Sequence, residues 1–587
     1  MKPSLLLQSP VRAFPKGRAS NRSMNAVKWL EVFVLCVVCA STAVCRTEAG
    51  ETPAQHDARL AWWRTARFGM FIHWGPVSLT GEEISWSRAN SNTNCPNHGP
   101  TPVEVYDHLY RRFNPTNFDA GQWVSIAKSA GMKYVVLTAK HGDGFLLWKS
   151  SVDSYNIGAT PFHRDVCAEL SNAARSEGLK IGWYFSPMDW RDPDCRSTHN
   201  DRFVLKMQSE LRELLSNYGA IDVLWFDMDG LPAGWDPPHT YPLVRELQPN
   251  IIINNRLEIG SFQEWAHQGK LHTYEDFHTP EQTIGAYDDL TPWETCMTIG
   301  TQWSWKPDDK IKSAREVVHV LAQCAGGDGN LLLDVGPMPD GRIEPRQVDV
   351  LKQVGKWMEK NGESVYGTRG GPWKPSRDVA STRRGSTIYV HILRGTDDQI
   401  ELPDIGRPIK SAALLSGRKV TTRTHDGQLT LALPAAVRDA MNTVVKLEIE
   451  GSAMDLSAVE TRPEIEAAAS NVFDHEDSNY GPQLAFDDKS DTRWATDDGT
   501  RQAWISAKLK QPQTIRAVNI DEAYCGRVQK FEFQYRDGGG WKTIFTGTTL
   551  GEHYQKTFEP VTAREFRLNI LDAKDGPSIS EIDLLKK

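Results

Sequence analysis

Eight short apolar runs share one arrangement, and this arrangement limits the fold of the chain more than any other feature of its sequence. Each run passes from apolar residues to polar or charged ones at its C-terminal end, and helical patterns lie between several of them. Parallel strands joined by helices carry their functional side chains at those ends. We therefore predict the fold class α/β, with a (β/α)8 TIM-like barrel. The runs are residues 68–75, 133–145, 181–187, 221–230, 251–256, 272–277, 294–300 and 330–337.

The barrel accounts for only part of the chain, because 587 residues are too many for one hydrophobic core. We assign the barrel to residues 51–367. Short alternating segments after it predict a small β-sandwich over residues 368–452. A polar, Ala-rich linker at 453–464 then leads to a second β-rich module at 465–587. The prediction is three folded domains in a row.

The N-terminal residues resemble a targeting segment. Lys28 precedes an apolar run that is interrupted by Glu31 and is too short to span a bilayer comfortably. Small residues such as Ala43 and Ala49 provide cleavage sites. We predict that residues 1–50 are a signal peptide or presequence and that the protein is secreted or periplasmic, with no stable membrane insertion after cleavage. A retained signal anchor is the alternative.

Composition excludes one class of partner. The net charge is −8 and no basic cluster accompanies the aromatic residues, so the sequence predicts no nucleic-acid binding. The 20 tryptophans suit a protein that stacks rings on the flat faces of sugars, although filling an aromatic core explains them equally well. The six cysteines after residue 50 show no CxxC spacing, so they do not predict a zinc knuckle.

The fourth run ends on Asp227, although Asp is depleted from strands. A carboxylate at the rim of a barrel strand serves the pocket, and glycoside hydrolysis usually needs two such groups at one anomeric carbon. Asp227 is the first candidate. Spacing alone does not select the second from the acids of residues 272–296, which are Glu275, Asp276, Glu281, Asp288, Asp289 and Glu294.

Eight motifs in order resemble glycoside hydrolase family 29, the α-L-fucosidases. They are RFGMFIHWGPVSL, KYVVLTAKHGDGFLLW, GWYFSPMDW, DVLWFDMDG, NNR, TPEQ, PWETCMTIG and LLLDVGPMPDGRI. The resemblance covers roughly residues 55–450, the barrel and the small sandwich. It implies an exported retaining α-L-fucosidase that hydrolyses terminal α-L-fucosyl linkages by double displacement. It also implies that catalysis requires no cofactor and that the partner is a fucosylated glycan or polysaccharide.

The resemblance also implies roles for single residues. Asp227, which closes WFD, matches the nucleophile, and Glu281, after TP, is our choice for the acid/base. Glu294 and then Glu275 remain alternatives for the second role. The remaining motif residues are expected to bind the sugar. His73, His141, Tyr184 and Arg256 match hydroxyl-binding residues, while Trp86 and Trp303, or its neighbour Trp305, would pack against the ring and the C6 methyl group.

Two positions depart from the family pattern. Fucosidases usually have two adjacent histidines where this chain has His141 and Gly142. Many relatives carry a Glu-Trp pair where this chain has Ser85 before Trp86, leaving Glu82 or Glu83 as a substitute. Two alternatives therefore stay open. One is an exo-glycosidase for a related L-sugar such as L-galactose, and the other is a carbohydrate-binding protein with weakened catalysis.

The segments QLAFDDKSDTRWAT and ISEIDLL resemble a discoidin, or factor V/VIII type C, module that is close to carbohydrate-binding module family 32. The resemblance covers residues 465–587 and implies a structural calcium ion, since oxygen ligands suit a hard cation. A solvated acidic turn is the alternative. The implied calcium ligands are Asp488, Asp491, Thr492 and Glu581.

Overall fold

The computed structural model describes residues 51–89, 99–227, 232–258, 271–394, 398–461, 465–487 and 492–586. Every element below belongs to one compact unit, Pro53–Lys587. The predicted presequence at residues 1–50 lies outside the described residues. Within the described ranges, no helix combines the length and the apolar character needed to cross a membrane.

The barrel strands form where the apolar runs predict them. Among the described residues, seven strands pair in parallel in the order β5-β4-β3-β2-β1-β7-β6. The sixth run closes the ring through two parallel bridges, Asn254 to Phe277 and His278 to Trp293. The predicted (β/α)8 fold is confirmed. The strands are β1 (Phe68–Ile72), β2 (Tyr134–Lys140), β3 (Lys180–Phe185), β4 (Val223–Phe226), β5 (Ile252–Ile253), β6 (Glu294–Thr298) and β7 (Asn330–Val335).

Three barrel helices begin at residues whose side chains cap them, Asp119, Asp165 and Ser313. Asp165 accepts a hydrogen bond from the backbone N–H of Ala168, and Ser313 and Glu316 form a reciprocal capping box. Such caps satisfy N–H groups that have no partner in the first turn. The helices are α1 (Pro53–Ala66), α2 (Val103–Tyr106), α3 (Ala120–Ser129), α4 (Val166–Ser176), α5 (Asn200–Ser216), α6 (Pro237–Leu247), α7 (Ala314–Gly326) and α8 (Pro345–Asn361).

Alternation along the strands separates two hydrophobic clusters. Phe71, Trp225 and Leu332 belong to a cluster that fills the barrel, whereas Met70 and Leu224 belong to a larger one that includes helix residues. Successive side chains on a strand point to opposite faces, so each strand supplies both clusters. Because residues i and i+2 of a strand point to the same face, the residue that follows an interior side chain by two positions also points inward. At the end of a strand, this residue lies at the C-terminal mouth of the barrel.

The small sandwich packs a five-stranded antiparallel sheet, of order β12-β15-β10-β9-β8, against a three-stranded sheet, of order β11-β14-β13. Trp373, Val390 and Leu431 are fully buried in its core. Its strands lie within the predicted residues 368–452. They are β8 (Arg369–Gly370), β9 (Val379–Arg384), β10 (Thr387–Ile392), β11 (Gln399–Pro403), β12 (Ile409–Leu414), β13 (Thr421–His425), β14 (Gln428–Ala432) and β15 (Thr443–Ile449).

The C-terminal module is an antiparallel β structure with its own core, in which Trp494 and Phe531 are fully buried. Its elements lie within residues 465–587, and the exact domain boundaries stay predictions. The elements are β16 (Ile465–Ala469), α9 (Asp477–Tyr480), β17 (Trp494–Ala495), β18 (Ala503–Glu522), β19 (Val528–Asp537), β20 (Gly540–Gly547), β21 (Tyr554–Ala573) and β22 (Ser578–Leu585).

Candidate active site

Asp227 is the residue directly after β4, at the C-terminal mouth of the barrel. It shares a face of the strand with Trp225, because residues two apart on a strand point the same way. The Tyr184 hydroxyl donates to Asp227 Oδ2 at 2.8 Å, and Arg256 donates to Oδ1 at 2.6 Å. Two donors therefore hold this carboxylate in one orientation.

Arg256 connects Asp227 with the second candidate acid. Its Nη1 also donates to Glu281 Oε2 at 2.8 Å, and its guanidinium group lies 4.5 Å from the centre of the Trp225 ring. Thr279 holds the guanidinium group through two further hydrogen bonds. Its hydroxyl accepts from Arg256 Nε at 2.7 Å, and its carbonyl accepts from Nη2 at 2.9 Å. Arg256 is only 1% exposed, so neighbouring residues fix its position.

The shared nitrogen limits the separation of the two acids. Because Asp227 Oδ1 and Glu281 Oε2 lie 2.6 Å and 2.8 Å from the same Nη1, they are at most about 5.4 Å apart, the sum of those distances. Retaining glycosidases place their two carboxyl groups roughly 5 to 5.5 Å apart, whereas inverting ones need about 6.5 Å or more. The spacing fits the retaining arrangement.

The two carboxyl groups have different proton affinities. Burial acts to raise the pKa of Asp227, but the charge and hydrogen bond of Arg256 and the Tyr184 hydroxyl outweigh it, so that pKa lies below its usual value. Burial raises the pKa of Glu281 above its usual value, and the nearby charge of Asp227 adds to this despite the opposing effect of Arg256. These opposite shifts favour the ionised form of Asp227 and the protonated form of Glu281.

Two buried histidines line the same mouth. His73 lies 5.8 Å from His141 and 4.7 Å from Trp303, and His141 stacks on Tyr184 at 5.2 Å, measured between ring centres. Burial lowers the pKa of each histidine to about 3, so both are neutral. A neutral imidazole offers one donor and one acceptor nitrogen, which suits the recognition of sugar hydroxyl groups.

Each histidine has a partner on its Nδ1 side. His73 Nδ1 lies 2.7 Å from Asp334 Oδ1, and His141 Nδ1 lies 2.5 Å from Ser85 Oγ. Ser85 is itself held, because its hydroxyl accepts from the backbone N–H of Asp143 at 2.8 Å. These contacts orient both rings and leave their Nε2 atoms for other partners. Ser85, a departure from the family pattern, therefore acts as a support for His141.

Trp86 occupies the rim and not the buried cluster. Its side chain is 49% exposed and meets Trp190 edge to face at 5.1 Å. Glu83 is the nearby acid that enters the site, since its carboxylate accepts from the backbone N–H groups of Trp303 at 2.8 Å and Ser304 at 3.2 Å. Glu83 thereby holds the loop that carries Trp303.

The two alternative acids, Glu294 and Glu275, share no hydrogen-bond donor with Asp227 among the contacts of the described residues. Glu294 begins β6 at the N-terminal end of the barrel, is fully buried and accepts from the indole N–H groups of Trp63 at 3.1 Å and Trp225 at 3.3 Å. The Glu275 carboxylate instead binds residues outside the mouth, Tyr241 and His272. Among the candidates, Arg256 brings Glu281 to Asp227.

Four residues that support the site were not singled out by the sequence reasoning for these roles. Trp225 and Asp334 had a usable signal, because Trp225 lies two residues before Asp227 on the same strand and Asp334 directly follows the leucines of the eighth run. The other two had no local signal, because their partners come from distant parts of the chain. The four residues are Ser85, Trp225, Thr279 and Asp334.

Two of the four predicted calcium ligands, Asp488 and Asp491, lie outside the described residues. Thr492 is described, and its hydroxyl lies 2.8 Å from an Asp487 carboxylate oxygen. Glu581 lies on β22 and is 1% exposed. Carboxylate and hydroxyl oxygens are donors that calcium prefers, and the calcium site stays a prediction.

Comparison with known proteins identifies two families in the chain. The alpha-L-fucosidase family matches residues 35–363, and the F5/8 type C domain family matches residues 466–584. The plasma alpha-L-fucosidase of Homo sapiens is 32% identical over 352 residues, which cover 55% of this chain and 73% of that protein.

Solved structures of fucosidases share the fold. Alpha-L-fucosidase isoenzyme 1 from Paenibacillus thiaminolyticus is 34% identical, with a TM-score of 0.60, and covers 67% of this chain and 99% of its own. An alpha-L-fucosidase from Bacteroides thetaiotaomicron, trapped as a covalent intermediate in complex with 2-fluoro-fucosyl fluoride, is 26% identical. Its TM-score is 0.59, and the match covers 69% of this chain and 98% of that one.

Proposed function

Because the chain belongs to the alpha-L-fucosidase family and is a glycoside hydrolase, we propose that it removes terminal α-L-fucosyl residues with retention of configuration. Asp227 is the nucleophile and Glu281 the acid/base. The observation that carries this proposal is the single Arg256 nitrogen between them, which keeps their accepting oxygens within about 5.4 Å.

In the first step an Asp227 oxygen attacks the anomeric carbon while the bond to the leaving oxygen breaks. Glu281 gives its proton to that leaving oxygen, so the aglycone departs as a neutral alcohol and a fucosyl ester of Asp227 remains. In the second step Glu281, now a carboxylate, takes a proton from water. The water oxygen attacks the same carbon and the Asp227 carboxylate leaves, which restores both groups.

The surrounding residues hold these groups and bind the sugar. Arg256 and Tyr184 stabilise ionised Asp227 before attack and when it is released, because each donates to one of its oxygens. His73 and His141 are neutral and buried, and they bind sugar hydroxyl groups through their Nε2 atoms. The Trp303 ring, held against His73, packs on the apolar face of the sugar.

Turnover of 4-nitrophenyl α-L-fucoside tests the nucleophile. Asp227→Ala should lower kcat by about 10⁴-fold, because residues acting as one catalytic unit have effects of this size. Labelling with 2-fluoro-fucosyl fluoride followed by peptide mapping should place the sugar on Asp227. Label on another side chain, with the protein folded, would overturn the assignment.

Product stereochemistry tests the retaining mechanism independently of any variant. Proton NMR during early turnover should show α-L-fucose appearing before its β anomer forms by mutarotation. First formation of the β anomer would overturn double displacement. A panel of aryl glycosides, including α-L-galactoside, tests the sugar: preferential cleavage of another L-sugar would leave the mechanism and remove the fucose assignment.

The rest of the chain supports three further parts of the proposal. Residues 1–50 direct export, so the mature enzyme is secreted or periplasmic and acts on fucosylated glycans or polysaccharides outside the cytoplasm. The C-terminal module, which matches the F5/8 type C domain, binds glycan and keeps the barrel near its substrate. Calcium at the loop around Thr492 and at Glu581 stabilises that module, while catalysis itself uses no cofactor.

A further inference from the structure

Three potential metal ligands that are not part of the catalytic pair lie close together, one after β5 and two in the sixth run. Their nitrogen and oxygen atoms all lie within 4.8 Å of one another, and the three residues are Glu258, His272 and Glu275. His272 Nδ1 lies 3.7 Å from Glu258 Oε2 and 3.2 Å from Glu275 Oε1. These separations are close to the roughly 3.3 Å between adjacent ligands in a tetrahedral zinc site with bonds of about 2.0 to 2.1 Å.

Neighbouring groups hold the inner ligand in place. Glu275 is 1% exposed, and its two oxygens accept from the Tyr241 hydroxyl at 3.1 Å and from the backbone N–H of His272 at 2.7 Å. Oriented ligands of this kind, with hydrogen-bonded carboxylates behind them, are typical of metal sites. Two carboxylates close to each other also carry a charge repulsion that a cation relieves.

A cavity lies beside the cluster. It has a volume of about 480 Å³, and Glu258, His272 and Tyr241 are among the residues that line it. The His272 side chain is 54% exposed and that of Glu258 is 27% exposed, so a metal ion can reach them from solvent. The three protein ligands thus leave room for water at a fourth position.

We propose that Glu258, His272 and Glu275 form a binding site for Zn²⁺ or a similar divalent transition metal. An imidazole nitrogen with two carboxylates suits these metals, whereas calcium and magnesium prefer oxygen alone. The ion joins Glu258, which follows β5, to His272 and Glu275 of the sixth run. It stabilises this part of the barrel and takes no part in the chemistry at Asp227.

Direct metal binding tests the site in the full-length, untagged protein after dialysis against a chelator. Isothermal titration with Zn²⁺ should show a site that is weakened about tenfold or more in His272→Ala and in Glu258→Gln. Both variants alter exposed side chains, and their retained turnover of an aryl fucoside would show that they are folded. Co²⁺ should give the intense visible absorption of a tetrahedral complex with the unmodified protein but not with His272→Ala or Glu258→Gln.

His239→Ala is the matched control. His239 lies on α6 and pairs with one carboxylate, Asp236, at 2.7 Å, and no third potential ligand joins them among the residues that the structure describes. This variant should bind Zn²⁺ as tightly as the unmodified protein, and Zn²⁺ should raise the Tm of both. Equal Zn²⁺ affinity in His272→Ala, or no binding by the unmodified protein, would overturn the proposal.

Discussion

At the scale of single residues, Arg256 sets the electrostatics of the site. One of its nitrogens donates to both candidate carboxylates, and its buried charge opposes the effect of burial on each of them. Its own position depends on Thr279 and on the ring of Trp225. Loss of the Arg256 charge should therefore change the pKa of Asp227 and the pKa of Glu281 together.

The pH profile of kcat/KM should report this change in Arg256→Gln. The acidic limb follows Asp227, which must be ionised, and its pKa rises by roughly 1 to 3 units when an adjacent guanidinium is lost. The pKa of Glu281, which must be protonated, rises for the same reason and moves the alkaline limb upward. Both limbs should shift to higher pH, and Arg256→Lys should shift them less. A profile unchanged in Arg256→Gln would contradict this account.

Glu281→Ala tests the second residue by leaving-group dependence. Without an acid, substrates with poor leaving groups should lose about 10² to 10⁴-fold in kcat, while activated aryl fucosides lose much less in the first step. Added azide should restore turnover by forming a fucosyl azide. Glu294→Ala is the comparison, and the assignment fails if that variant shows this pattern and Glu281→Ala does not.

At the scale of elements, the strand alternation that positions the mouth also builds the base of the barrel. Glu294, the first residue of β6, lies under Trp225, and a second indole and the hydroxyl of Tyr134 also donate to it. Trp225 therefore links a buried carboxyl group at one end of the barrel to Arg256 at the other. Glu294 has a structural role that its motif alone does not reveal.

The free energy of unfolding should fall between pH 4.5 and 7 because of Glu294. Burial raises the pKa of Glu294 from 4.5 to about 7 in the folded protein. Because the pKa of Glu294 is higher in the folded protein than in the unfolded chain, its contribution to the free energy of unfolding is fully present below pH 4.5. This contribution is lost as the pH rises through about 7, a change of order 3 kcal/mol. The free energy of unfolding, measured with urea between pH 4.5 and 7, should decrease with pH. The decrease should be smaller in Glu294→Gln. An equal decrease in that variant would exclude Glu294 as its source.

At the scale of the whole molecule, the barrel and the two β domains are joined by specific contacts. The Trp357 indole of α8 donates to the Asn442 carbonyl of the small sandwich at 3.1 Å. Arg377 of that sandwich pairs with Asp521 of the C-terminal module at 3.3 Å. The C-terminal module is thus attached to the barrel through the sandwich.

Calcium should stabilise the C-terminal module of the chelator-treated protein. We expect Ca²⁺ to raise the Tm of the full chain, because an ion bound only by the folded state adds RT ln(1 + [L]/Kd). The rise should be lost in Glu581→Gln, while the response to Zn²⁺ proposed for Glu258, His272 and Glu275 should persist there. No Ca²⁺ response in the unmodified protein would favour a solvated acidic turn.

The sequence by itself determined the order of the barrel strands and the position of Asp227, His73 and His141 at their ends. These features are local, because a strand's apolar run and its polar end are adjacent in the chain. The family motifs then indicated the roles of the same residues. The two β domains were also visible, since each keeps its own alternating pattern.

Only the tertiary structure decided which acid lies beside Asp227. Six acids lie within residues 272–296, and their spacing does not distinguish them, because barrel closure sets the distance between residues far apart in the chain. Closure brings Arg256 from the end of β5 to Glu281 and leaves Glu294 at the opposite end. It also brings together Glu258, His272 and Glu275, for which no sequence motif gives a signal.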